Sequence, residues 1–334
     1  MAALPEPTFA DVLEAARQIR PHLAPTPLRR YPSLDRLVGA EVYVKHENHN
    51  PTGAFKVRGG VNLISRLSDD ERTRGVIAAS TGNHGQSVAF AARLFGVSAI
   101  ICAPALANPV KVEAMQDLGA EVILEGERYD DSRRNAERLA AEHGYRYIHS
   151  GDEPLLIAGV GTHTLELLQE RPDVDTIFVP IGGGSGAAGA ATVAKAVNPA
   201  IRVVGVQSEE APAAYVSWKS GTLHEAPNKT RTEGLSTATA FELPQRIMRR
   251  LLDDFVLVTD GEIDAATAVM IEKTRTLVEP AGAAALAAVL YGRLPIRNGD
   301  RVCVVASGGN VAVDRLGELL ANAAPLPGLA VAAG

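Results

Sequence analysis

Cysteine is almost missing from this chain: two residues in 334, Cys102 and Cys303. Each lies inside an apolar run, which suits a buried, reduced thiol and excludes a disulfide-stapled scaffold or a cysteine-built metal module. Long apolar runs are missing too. The most apolar stretch, Ala283 to Leu290, falls far short of the ~20 residues of a membrane-spanning helix. Met1 to Pro7 has neither the basic nor the apolar region of a leader peptide, so the cytoplasm is the expected compartment. Positive charge is in deficit, 33 Lys and Arg against 39 Asp and Glu, for a net −6. That is the wrong sign for a general nucleic-acid binder. None of the eight histidines has metal-ligand spacing to another ligating side chain, and no Gly-x-Ser-x-Gly elbow occurs. Repeats, low-complexity segments and long charge runs are absent as well. What remains, 46% apolar and 22% charged, is an ordinary globular composition, and the length predicts roughly two domains at ~150 residues each.

Short runs rich in Val and Ile recur at Glu41–Lys45, Gly75–Ala79, Val97–Cys102, Glu121–Leu124, Thr176–Val179, Ile201–Val206, Asp254–Val258 and Arg301–Val305. Stretches with helical period follow, such as Asn83 to Leu94, Asp131 to Glu142 and Pro154 to Leu168. This alternation predicts an α/β fold whose mainly parallel sheets are flanked by helices. No linker composition marks a boundary, which predicts one domain inserted within another. The tail from Leu320 to Gly334 has no period and is expected to trail off as a weakly ordered end.

In such folds ligands bind where strands end and helices begin. Four turns of that kind stand out. Pro51-Thr-Gly-Ala-Phe-Lys56 leads into a helix whose positive end lowers the amine pKa of Lys56, and a neutral lysine is what carbonyl chemistry needs. Ser80-Thr-Gly-Asn-His84 gathers hydroxyls and N–H groups around one point, suited to a carboxylate or simply to capping a helix. Gly182-Gly-Gly-Ser-Gly186 lets backbone N–H groups close around an anion, most often a phosphate. Ala306-Ser-Gly-Gly-Asn310 follows the strand Val302–Val305, with Glu279-Pro-Ala-Gly282 at an earlier helix start. A competing pattern overlaps the third turn: Gly184-Ser-Gly-Ala-Ala-Gly189 spells the dinucleotide fingerprint, with Glu209 20 residues later where a ribose-binding acid belongs. Its mid-chain position and the other turns count against that reading.

Together, in this order, the four turns resemble the fold-type II pyridoxal-phosphate enzymes of the tryptophan-synthase-β type, and within them the serine/threonine dehydratases and serine racemases. The resemblance runs from Pro25-Thr-Pro-Leu28 to Asn310. It implies a discontinuous large cofactor domain, 1–55 and 150–325, and a small substrate-gripping domain, 56–149, with pyridoxal 5'-phosphate between them. Lys56 would carry the cofactor covalently and act as the catalytic base. Gly182, Gly183, Gly184, Ser185 and Gly186 would cradle its phosphate. Asn83 would meet its 3'-oxygen and Ser307 its ring nitrogen, with Phe55, Glu279 and Gly308 completing the cofactor site. Ser80, Thr81, Gly82, Asn83 and His84 would grip the substrate carboxylate, with Gly151 and Gly234 nearby. The reaction implied is loss of water and ammonia from a β-hydroxy-α-amino acid, and the partner is that small molecule, acting on a homodimer.

Departures from the family pattern sharpen these expectations. Thr81 stands where racemases carry a serine acid/base, and its β-branch fixes the rotamer, so racemisation and β-replacement rank as alternatives. Gly151 replaces a bulkier residue, in His149-Ser-Gly-Asp-Glu-Pro154, which suggests room for a larger substrate such as 3-phenylserine. The positions of the family's divalent-metal site align with Gln207, Ala211 and Ala213, poor ligands, so no metal is expected. The 334 residues are also expected to lack the regulatory domain of feedback-inhibited threonine dehydratases.

Overall fold

The computed structural model describes residues 3–326. Every apolar run read as a strand is one. Among the described residues the ten strands are β1 (Leu28–Arg30), β2 (Glu41–Lys45), β3 (Val76–Ala79), β4 (Ala99–Ala103), β5 (Glu121–Leu124), β6 (Arg146–Tyr147), β7 (Thr176–Pro180), β8 (Arg202–Ser208), β9 (Asp254–Val258) and β10 (Arg301–Val305). They form a six-stranded sheet, β1-β2-β10-β7-β8-β9, and a four-stranded sheet, β5-β4-β3-β6. All pairs are parallel except β1 with β2. Strands β1 and β6 are short and polar, carry no periodic signal, and form because β2 and β3 offer them an edge. The helix Val313–Asn322 extends into the segment expected to trail off; residues 327–334 of that tail lie outside the described residues.

The strand order does the positioning. β2, β10 and β7 are neighbours and run the same way. The turns that follow them therefore emerge side by side, although they come from residues 46–55, 306–310 and 181–186. Backbone bonds pin the first two together. Phe55 N–H donates to the Ser307 carbonyl at 3.0 Å and Gly309 N–H to the Gly53 carbonyl at 2.8 Å. The fourth turn, at residues 80–83, leaves β3 of the other sheet and opens the helix Asn83–Phe95.

The helix Lys56–Ile64 joins the two sheets. Gly59 lets it lie against the helix Pro154–Glu170, where a Cβ would meet Leu156 Cγ at 2.7 Å; Gly60 does the same against Ser87. Val57, Val61 and Ile64 belong to one buried cluster with Val88, Leu156 and Ile157. On the other face of the large sheet lies the helix Pro280–Leu290, which contains the most apolar run of the chain. It is apolar all round and buried over nearly its whole length, as a helix without a polar face must be. Among the described residues, no helix is long and apolar enough to cross a membrane.

Candidate active site

All four turns open onto one cavity of about 1040 Å³. Lys56 starts its helix as expected and is half-buried in the cavity wall. Its Nζ donates to the Ser150 carbonyl at 2.7 Å and to Ser185 Oγ at 2.9 Å. Among the described residues no carboxylate bonds it, and burial pulls its ammonium down to about 8. Ser87 Oγ donates to the Lys56 carbonyl at 2.7 Å, so the residue is held through backbone and side chain alike.

At the 80–84 turn, Thr81 is exposed in the cavity. His84 is buried, its Nε2 3.1 Å from the Ile148 carbonyl. Burial, with the nearby Lys56, pushes its pKa to about 3, so the ring is neutral. Asn83 Nδ2 donates to Glu279 Oε1 at 2.7 Å, while its Oδ1 accepts from Asn310 Nδ2 at 2.8 Å. Asn310 also donates to the Thr52 carbonyl at 2.8 Å, tying three turns into one unit. Burial raises the Glu279 carboxyl above its usual range, opposed in part by Lys111. Lys111 in turn forms an ion pair with Glu233 across the cavity lining.

The helix Ser185–Val197 begins beside Lys56, and no side chain caps it. Gly184, its N-cap, sits at φ 91°, which favours glycine. A Cβ on Gly182 would meet the Gly234 carbonyl at 2.6 Å. Ser307 is buried in the lining, and its hydroxyl has only a 3.4 Å contact with the Ala281 carbonyl.

Residues 19–308 match the family described as pyridoxal-phosphate dependent enzymes. The chain belongs to that family. It is 37% identical to an L-threonine ammonia-lyase of Thermotoga maritima over 314 residues, covering 94% of this chain and 78% of that protein. It is 36% identical to an L-threo-3-hydroxyaspartate ammonia-lyase of Saccharomyces cerevisiae over 317 residues, 95% of this chain and 97% of that one. The structure of maize serine racemase superposes with a TM-score of 0.89 at 33% identity, covering 95% of this chain and 98% of that chain. The fold is therefore that of a fold-type II enzyme, and its cofactor is pyridoxal phosphate.

The residues present fit this cofactor. An uncapped helix N-terminus in a glycine turn offers N–H groups to a phosphate. A lysine of lowered pKa stands beside it, and a weakly engaged hydroxyl sits in the same cavity. Phe55, Lys56, Ser80 through His84, Gly182 through Gly186, Gly234, Glu279 and Ser307 all line it.

Two sequence expectations need correction. Gly151 does not line the cavity; the space its missing side chain leaves is filled by the ring of Phe241. No extra room for a bulky substrate arises there. Gly308 lies behind the lining, where a Cβ would collide with Glu279. The Ser80 hydroxyl turns inward and accepts the N–H groups of Gly82 at 3.1 Å and Gly85 at 2.8 Å, so it shapes the turn. The dinucleotide pattern dissolves: a Cβ on Gly189 would meet Gly161 N and the Ile157 carbonyl at 2.8 Å, so this glycine serves helix packing. Glu209 lies outside the cavity lining. At the aligned metal positions, Gln207 is buried with Oε1 accepting the Tyr215 N–H at 3.0 Å.

Ser150, Phe241, Lys111 and Asn310 were not singled out by sequence. A backbone carbonyl acceptor and an aromatic 90 positions away from its glycine carry no local signal. Asn310 alone had one, since it ends the fourth turn.

Proposed function

We propose that this chain is a pyridoxal-phosphate dependent ammonia-lyase that converts a small β-hydroxy-α-amino acid, threonine or serine, to a 2-oxo acid and ammonia. The observation that carries the reading is the Lys56 amine: depressed in pKa, unpaired with any carboxylate, and set between an uncapped helix N-terminus and the 80–84 turn. The relative named L-threonine ammonia-lyase supports the reaction class. Bound there, pyridoxal phosphate supplies an aldehyde for amines and an electron-accepting ring that acidifies the substrate's Cα–H.

Lys56 would hold the cofactor through its Nζ, and that amine, when free, is the group placed to take the Cα proton. Ser185 Oγ, 2.9 Å from that Nζ, orients the amine and is the nearest hydroxyl to share its proton. The N–H groups opening the Ser185 helix, with Gly182 to Gly184, would bind the phosphate. The N–H groups of the turn that Ser80 shapes, together with Thr81, bind the substrate carboxylate. Ser307, whose hydroxyl has only a 3.4 Å contact with the Ala281 carbonyl, would offer a neutral partner rather than a carboxylate to the cofactor ring, a weaker electron sink that would favour elimination over transamination. Water leaves and water is taken up again, so one amino acid yields one 2-oxo acid and one ammonia. Racemisation is the second reading, favoured by the exposed Thr81 hydroxyl and by the likeness to maize serine racemase.

The test is release of 2-oxo acid from threonine, serine and 3-hydroxyaspartate, with chiral analysis of recovered serine. Borohydride reduction should fix the pyridoxyl group on Lys56. A colourless protein, or an adduct on Lys45, Lys111 or Lys195, overturns the reading; product from 3-hydroxyaspartate alone moves the substrate.

A further inference from the structure

Phe241 is the extended residue before the helix Glu242–Leu251, and it lines the cavity. Its ring takes up the space of two missing side chains. A Cβ on Gly151 and a Cβ on Gly183 would each fall closer than 3.0 Å to it, so ring and side chain exclude each other at both places. The ring also stands edge-on to His149, centroids 4.7 Å apart at 78°. His149 Nδ1 accepts the N–H groups of Gly151 at 3.1 Å and Asp152 at 2.8 Å. Asp152 Oδ1 then accepts the Leu243 N–H at 2.8 Å. The turn at 149–152 and the segment 241–243 are thus one interlocked wall. That wall includes Ser150, whose carbonyl holds the Lys56 amine, so the ring belongs to the same stretch of cavity wall that positions the reactive nitrogen.

We propose that Phe241 is the size-selecting residue of this site: an aromatic wall supplied from position 241 that fills the place Gly151 leaves empty and holds the substrate's β-substituent to hydrogen or methyl. The proposal rests on the lyase reading above and adds to it the residue that sets substrate size. Removing the ring opens apolar space about the size of a phenyl group in the cavity wall beside Gly151 and Gly183. A side chain that buries ~100 Å² of apolar surface there gains binding at ~25 cal/mol per Å².

The experiment measures kcat/KM for threonine, serine and 3-phenylserine on the holoenzyme and on Phe241→Ala, Phe241→Leu and the double exchange Gly151→Phe with Phe241→Gly. Cofactor content is read from absorbance in each. The parent should prefer threonine to 3-phenylserine. Phe241→Ala should move that ratio about tenfold or more toward 3-phenylserine, with Phe241→Leu moving it less in the same direction. The double exchange should return it toward the parent. If Phe241→Ala does not fold, Phe241→Leu carries the test. Variants that hold their cofactor yet keep the parent's ratio, whatever happens to overall rate, overturn the proposal and reduce Phe241 to packing. A parent that bleaches with borohydride but releases no 2-oxo acid from any of the three overturns the lyase reading itself, and this inference with it.

Discussion

The guanidinium of Arg58 lies 2.7 Å from the carboxylate of Glu47, both side chains wholly buried, two residues beyond Lys56. Arg58 also donates to both oxygens of Glu166, at 2.6 and 2.8 Å, and Lys45 Nζ reaches the same carboxylate at 2.6 Å. This cluster anchors the first turn of the Lys56 helix to β2 and to the helix Pro154–Glu170. Its charges are paired and hydrogen-bonded, the condition under which buried ions persist.

Replacing Arg58 by Met should therefore cost about 3–5 kcal/mol, because Glu47 would be left buried and unpaired. Burial alone would raise the Glu47 carboxyl, but the Arg58 charge overrides it and holds the group at about 2. A depressed carboxyl contributes stability that is present above its unfolded value, 4.5, and is lost as pH falls toward 2. The parent should thus lose this contribution only in strong acid, whereas Arg58→Met should begin to unfold at higher pH. Urea midpoints at pH 7, 5 and 3 check both the size and the pH window; equal midpoints for parent and variant at pH 7 would contradict it.

Capture of pyridoxal phosphate by the cofactor-free protein should report the Lys56 amine. Only the neutral amine attacks an aldehyde, and burial lowers its pKa from 10.5 to about 8. The capture rate should rise about tenfold per pH unit below 8 and level off above it. Stopped-flow absorbance follows this directly. A rate still climbing toward 10.5 would mean that the amine is as accessible as a surface lysine, and Lys56→Ala should show no covalent capture at any pH.

Gly183 tests the phosphate cradle. An aspartate there would place a carboxylate against the phosphate, and like charges ~4 Å apart cost roughly 4 kcal/mol at intermediate dielectric. Because any Cβ at 183 also presses on Phe241, Gly183→Ala is the control. Fluorescence titration should show Gly183→Ala weakened by packing alone and Gly183→Asp without measurable binding. Equal affinities for the two variants would place the phosphate elsewhere.

The strands and the reactive turns were legible because each rests on local information. Val- and Ile-rich runs cannot stay in water and suit a sheet covered on both faces. Glycine runs before a helix carry their chemistry in the backbone they impose; a lysine at a helix start is legible by its position, although burial in the fold is what lowers its pKa. Residues 41–45 and 301–305 show what lies beyond that. Both read as strands, yet nothing in either says that β10 lies beside β2, the adjacency that brings Lys56 and Ser307 into one cavity. That adjacency depends on how whole faces of helix and sheet cover one another, a property of the complete packing.

The same division runs through single residues. Lys56, Asn83 and the 182–186 turn were set by the sequence, since their neighbours along the chain create the helix ends at which they act. Gly151 was not. Its missing side chain signified space only until Phe241, 90 residues on, was folded into that space. Ser80 likewise read as a ligand or as a cap, and only the fold shows that its hydroxyl turns inward to accept the N–H groups of Gly82 and Gly85. Local sequence determines which backbone and which functional group a position presents. Tertiary structure alone decides what occupies the volume facing it, because close packing fills that volume with whichever side chain the rest of the fold delivers.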